Sequence, residues 1–114
     1  MATSKVQPST AYLTNADTLL NTTNTGNNIE LSNPITNYLL CVVDIIDSSG
    51  NCLNSIVIPT ERINNGIGAV YPSYYSDSQI VRYITFASAT KVGISSGGGE
   101  NIRVMIYGLF KRRS

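Results

Sequence analysis

The alternation of apolar and polar positions along the chain predicts β-strands and no amphipathic helix. Residues 38–46 (YLLCVVDII) are apolar on both alternating faces except at Asp44, the pattern of a strand covered on both sides. Residues 47–51 (DSSGN) carry strong turn chemistry, and residues 53–58 return as the partner strand of a hairpin. In residues 79–87, Ile80, Arg82, Ile84 and Phe86 alternate with Val81, Tyr83 and Thr85, and a further strand is expected over 90–94. Residues 95–99 (SSGGG) predict a flexible turn. The closing strand, 102–110, sets Ile102, Val104, Ile106, Gly108 and Phe110 on one face and Arg103, Met105, Tyr107 and Leu109 on the other.

The flanking signals are shorter. A strand is expected over 18–22, then a turn in the Asn/Thr stretch around Gly26, then a strand over 29–31 that stops at Ser32, Asn33 and Pro34. Residues 59–78 predict a long loop interrupted by one short strand, and loops of that length are usually functional or interface-forming. The chain divides into an extended N-terminal arm (1–11), a folded domain (12–111) and a basic tail (112–114). Several short strands separated by turns imply an all-β, antiparallel β-sandwich of jelly-roll-like form. Met105, Tyr107 and Leu109 are too apolar for a solvated face, so another sheet or another subunit is expected to cover them.

Composition supports a single domain of low charge. The 114 residues are 42% hydrophobic and only 13% charged, against roughly 25% charged in an average soluble protein. Polarity comes instead from amides and hydroxyls, with twelve asparagines that favour turns and strand surfaces. A net charge of +1 gives no overall field for nucleic acid or a membrane. Lys111, Arg112 and Arg113 read as a solvated tail, with an ionic contact to a neighbouring subunit as the alternative. Residues 1–10 hold no apolar signal core and no window approaches a membrane span, so the expected product is soluble and made in the cytosol. Cys41 and Cys52 flank the hairpin turn, with the position opposite Cys41 near Val57. At roughly 3.3 Å per strand residue, that offset puts them beyond disulfide reach, and buried free thiols are expected.

Candidate chemistry is sparse. The chain has no histidine, which removes the usual general base, the usual metal ligand and any Ser-His-Asp arrangement. Seven carboxylates remain, most beside turns, and a glycosidase-type pair is the only enzymatic reading that composition permits. No enzymatic activity, metal or cofactor is expected. Asp44, in an apolar strand, is expected either to reach solvent at a strand end or to pair with Arg82 or Arg103. Gly97, Gly98 and Gly99 lack the Lys-Ser/Thr of a phosphate loop. Tyr71, Tyr74 and Tyr75, beside Pro72 and Ser73, form the candidate contact site: such rings either pack the loop onto the protein or stack on a glycan or receptor.

The order IELSNPITNYLLCVVDI, DSSGN, NSIVIP, IVRYITFAS, TKVGIS and IRVMIYGLFK resembles a compact C-terminal domain of bacteriophage tail-fibre and related appendage proteins. Ile29, Leu31, Ser32, Ile35, Asn37 and Tyr38 match an opening of the form I-x-L-S-x-x-I-x-N-Y. Ile102 or Val104, with Ile106, Tyr107 and Gly108, match an ending similar to I-x-x-I-Y-G. The resemblance spans residues 29–111. It implies a non-enzymatic, commonly trimeric β-sandwich of the virion, presenting a receptor or glycan contact surface at a tail fibre or tail tip. Met1 and a short arm directly before the domain shift the expectation toward a stand-alone virion protein. The alternatives are a capsid decoration or head-fibre protein docked through its arm, and a free-standing carbohydrate-binding module. The expected partners are two further copies of the chain, other virion proteins and a host surface glycan or receptor.

Overall fold

A computed structural model describes residues 16–23, 26–63, 68–70, 73–75, 79–96 and 102–112. The expected arm, Tyr71, the Gly97–99 run and Arg113 lie outside the described residues. Among the described residues, nine strands form two antiparallel sheets: β1 Asp17–Thr23, β2 Gly26–Glu30, β3 Tyr38–Ile46, β4 Cys52–Pro59, β5 Gly68–Val70, β6 Ser73–Tyr75, β7 Gln79–Ser88, β8 Lys91–Ser96 and β9 Arg103–Lys111. One sheet has the order β1-β9-β3-β4. The other has the order β2-β8-β7-β5, with β6 also paired to β7. The outer pairs are nested, β1 with β9 in one sheet and β2 with β8 in the other, so the chain rolls up from its two ends. The expected all-β sandwich is therefore the observed architecture.

The core lies between the sheets. Val43, Cys41, Val104 and Ile106 of the first sheet meet Ile84, Phe86, Val92 and Ile94 of the second, and Leu31, Ile35 and Ile63 close the ends. Their side chains share one face of each strand because successive strand residues point to opposite sides. Arg82 follows the same alternation and is fully buried, with its Nη2 donating to the Ile102 carbonyl at 2.9 Å. Burial lowers its pKa from the usual arginine value.

The β3–β4 hairpin forms as the turn chemistry predicts. Asp47 Oδ1 accepts from the backbone N–H groups of Ser49 and Asn51, and Gly50 takes φ +89°, which only glycine adopts without steric cost. Cys41 pairs with Ile58 and, after a bulge, Ile46 pairs with Cys52. Both thiols are free. Cys41 is buried, and burial pushes its thiol up to about 12, but Cys52 is exposed, against expectation, because it opens a strand at the hairpin rim.

Strand boundaries differ from expectation where polar residues pair. Gly26, Asn27 and Asn28, expected in a turn, belong to β2 because Gly26 pairs with Ile94 and Ile29 with Val92 of β8 on either side of the two asparagines. The described residues of the 59–78 segment hold two short strands and a 3-10 turn at Thr60–Arg62 rather than one strand, and β6 carries Tyr74 and Tyr75 opposite Ile80 and Gln79. Phe110, expected on the core face with Ile106, is 60% exposed. Its φ of +59° turns the chain at the end of β9 and breaks the alternation. Arg112 is exposed yet held rather than a loose tail residue: its N–H donates to Asn37 O, Nε to Thr36 O and Nη2 to Thr60 Oγ1. Lys111 pairs with Asp17 at 3.7 Å.

Candidate functional site

Two surfaces on opposite sides of the sandwich carry features beyond packing. The first is the outer face of β3, β9 and β4, where Leu40 pairs with Leu109, Val42 with Tyr107 and Asp44 with Met105, and Val57 pairs with Val42 from the other side. Met105 and Tyr107 are half-buried, and Leu109 is only 3% exposed. At the lower end of this face, Leu40, Val57, Leu109 and Phe110 line an apolar hollow of about 270 Å³. Val57 is 48% exposed there, so the hollow opens to solvent along apolar side chains.

At the upper end of the same face, Asp44, Cys52, Arg103, Met105 and Tyr107 border a hollow of about 420 Å³ beside the hairpin turn. Asp44 is buried and accepts a 2.5 Å hydrogen bond from the Ser55 hydroxyl, not from Arg82 or Arg103 as expected. Its cross-strand partners are Ser55 and Met105, which leaves Arg103 two pairs further along, opposite Ile46. Burial raises the Asp44 pKa, partly opposed by the Ser55 hydroxyl. Burial and then the Asp44 charge also raise Cys52 and Tyr107. The thiol and the phenol are thus biased toward their protonated forms, the reverse of an activated nucleophile.

The raised Asp44 pKa sets a pH dependence. A carboxyl that prefers its proton in the fold adds stability at low pH, and this is lost as pH rises from the unfolded value of 3.8 through the folded one. Asp44→Asn is expected to keep a hydrogen bond to Ser55 while removing the buried charge. Urea unfolding should show a more stable variant at about pH 7, with the difference shrinking toward about pH 4. A variant less stable than the parent at neutral pH would contradict a strained carboxylate.

The second surface is the outer face of β2, β8 and β7. Asn27, Asn28, Tyr83, Thr85, Gly93 and Ser95 line a groove of about 390 Å³. Tyr83 stands across from Ser95 and Thr85 from Gly93. A register shift between Gly26 and Ile29 sets Asn27 and Asn28 in a bulge, and Asn28 takes φ +53°, a conformation that asparagine tolerates better than most residues.

Of the contact residues expected from sequence, Tyr71 lies outside the described residues, and Tyr74 and Tyr75 are placed by backbone in β6 rather than in a loop. Met105, Tyr107 and Leu109 do share a face. The groove residues were not singled out from sequence, although the alternation of Tyr83 and Thr85 with the core-facing Arg82, Ile84 and Phe86 already marked them as one outward row. Among the described residues, no three His, Cys, Asp or Glu side chains converge as metal ligands. In comparisons with known proteins, no family model, curated protein or solved structure matches this chain.

Proposed function

We propose that this chain is a non-enzymatic structural module of a bacteriophage virion, a trimeric appendage component of a tail fibre or tail tip that presents a contact surface for a host receptor or glycan. The observation that carries the assembly half is the apolar end of the β3–β9–β4 face. Phe110 is exposed there in a left-handed backbone conformation, and such a conformation costs a bulky residue on the order of 1–3 kcal/mol. A monomer gains little from holding that ring in water. A second copy covering Val57 and Phe110 would offset the cost by removing apolar surface from solvent. The virion and trimer parts of the reading rest on the resemblance to appendage domains and on its match at Ile29 to Tyr38.

Light scattering on the purified chain at micromolar concentration is expected to give the mass of three copies. Val57→Glu is expected to give a monomer with unchanged far-UV circular dichroism, because a carboxylate cannot be buried unpaired in that hollow. A parent chain that is monomeric throughout would overturn the assembly reading. Antibody labelling of purified particles that marks the capsid shell rather than the tail would favour the decoration-protein alternative.

A further inference from the structure

The groove on the opposite sheet is chemically unlike the apolar face, and we infer that it is a binding site for a neutral glycan, with Tyr83 as the stacking platform and Asn27 and Asn28 as the hydroxyl-reading pair. This inference rests on the reading of the chain as a ligand-presenting module, and it moves the contact from the β6 region to the β2–β8–β7 face.

The local construction follows from three features of the sequence. Gly93 sits in the middle of β8 opposite Thr85, and a Cβ built there would stand 3.8 Å from Asn27 Oδ1 and from the Gly26 carbonyl. With no side chain, Gly93 leaves open the space in front of the Asn27 amide. A glycine inside a strand weakens it and often marks close approach of a ligand or another backbone. Asn27 and Asn28 occupy the bulge of β2 beside this space, and bulges re-aim side chains that regular pairing would direct elsewhere. Tyr83, 42% exposed, closes the groove from β7.

The lining selects the ligand class. None of the described lining residues is charged, so neither an anionic nor a cationic ligand finds a counter-charge in the groove. Each asparagine amide offers an acceptor and two donors, and Thr85 and Ser95 add hydroxyls that do both, which suits a ligand whose own groups are hydroxyls. An aromatic ring beside them matches the C–H face that a sugar ring presents between those hydroxyls. Lys91 and Glu30, further along the same strands, are paired with each other at 3.3 Å.

The test is a titration of the full-length ¹⁵N-labelled chain with maltotriose, chitotriose, mannotriose and galactotriose, alongside a charged probe, trigalacturonate. At least one neutral probe is expected to give saturable shifts at the amides of Asn27, Asn28, Gly93 and Ser95 below about 10 mM. Gly93→Val, which fills that space with a strand-favouring side chain, and Tyr83→Ala are each expected to weaken that binding by about tenfold or more. The inference is overturned if no neutral probe shifts the groove, if trigalacturonate binds more tightly, or if shifts cluster at Tyr74 and Tyr75 instead. A trimer without glycan binding removes this site and leaves the assembly reading standing. A monomer that binds glycan does the reverse.

Discussion

Gly108→Ala is expected to destabilise the protein by about 3 kcal/mol, the upper part of the usual range for overpacking a filled core. A Cβ at position 108 would lie 2.6 Å from Cγ and Cδ2 of Tyr38, closer than carbon atoms approach. The Tyr38 ring cannot swing aside cheaply. It is 1% exposed, and its hydroxyl donates to Asp17 at 2.6 Å and accepts from Asn33 at 3.2 Å. Its carbonyl accepts from the buried Thr60 hydroxyl at 2.5 Å, which in turn accepts from Arg112. Burial, and after it the hydrogen bond to Asp17, push the Tyr38 phenol up to about 12, so the hydroxyl stays protonated through the neutral range. In thermal melts a loss of that size should lower the midpoint by about 15 °C for a domain of this length. Adding Gly108→Ala to a Tyr38→Ala background should cost far less, with a coupling of about 2 kcal/mol in the double-mutant cycle. Additive losses would show that the clash is with something other than the ring.

Phe86→Ala should have a comparable effect by the opposite route, a loss of about 3–5 kcal/mol from a cavity between the sheets. Phe86 has no exposed surface and is held between Gly68 of β5 and Val92 of β8. Against a total stability on the order of 5–15 kcal/mol, that loss alone could leave a substantial unfolded fraction. Tyr83→Ala, on the same strand but the outer face, should cost much less stability than Phe86→Ala while weakening glycan binding. Urea unfolding of the two variants separates core from groove directly. Equal losses would mean that the two faces of β7 are not distinguished as the burial pattern has them.

The hairpin from Tyr38 to Pro59 was legible because its signals are local. Nine residues of strand pattern run into DSSGN, and Asp47 then caps the turn with its own side chain. The core row of β7 was legible as far as Arg82, whose place among Ile84 and Phe86 follows from period two even though arginine is rarely buried. Asp44 was legible as an anomaly but not in its resolution. Its partner Ser55 is an ordinary residue until the β4 register is known. Phe110 misled because alternation assumes extended backbone, and a positive φ inverts the side chain.

The sequence by itself determined the all-β class, the main hairpin and the alternating rows of the long strands, since alternation and turn propensity act over a few neighbouring residues. Only the tertiary structure decided which strands pair. The nested β1–β9 and β2–β8 ladders join strands far apart in the chain, and the β3–β9 pairing sets the Tyr38 ring against Gly108, a fit that no local pattern announces. The candidate groove belongs to this second kind. Asn27, Tyr83 and Gly93 are unremarkable on their own strands and become one surface only when β2, β8 and β7 lie side by side.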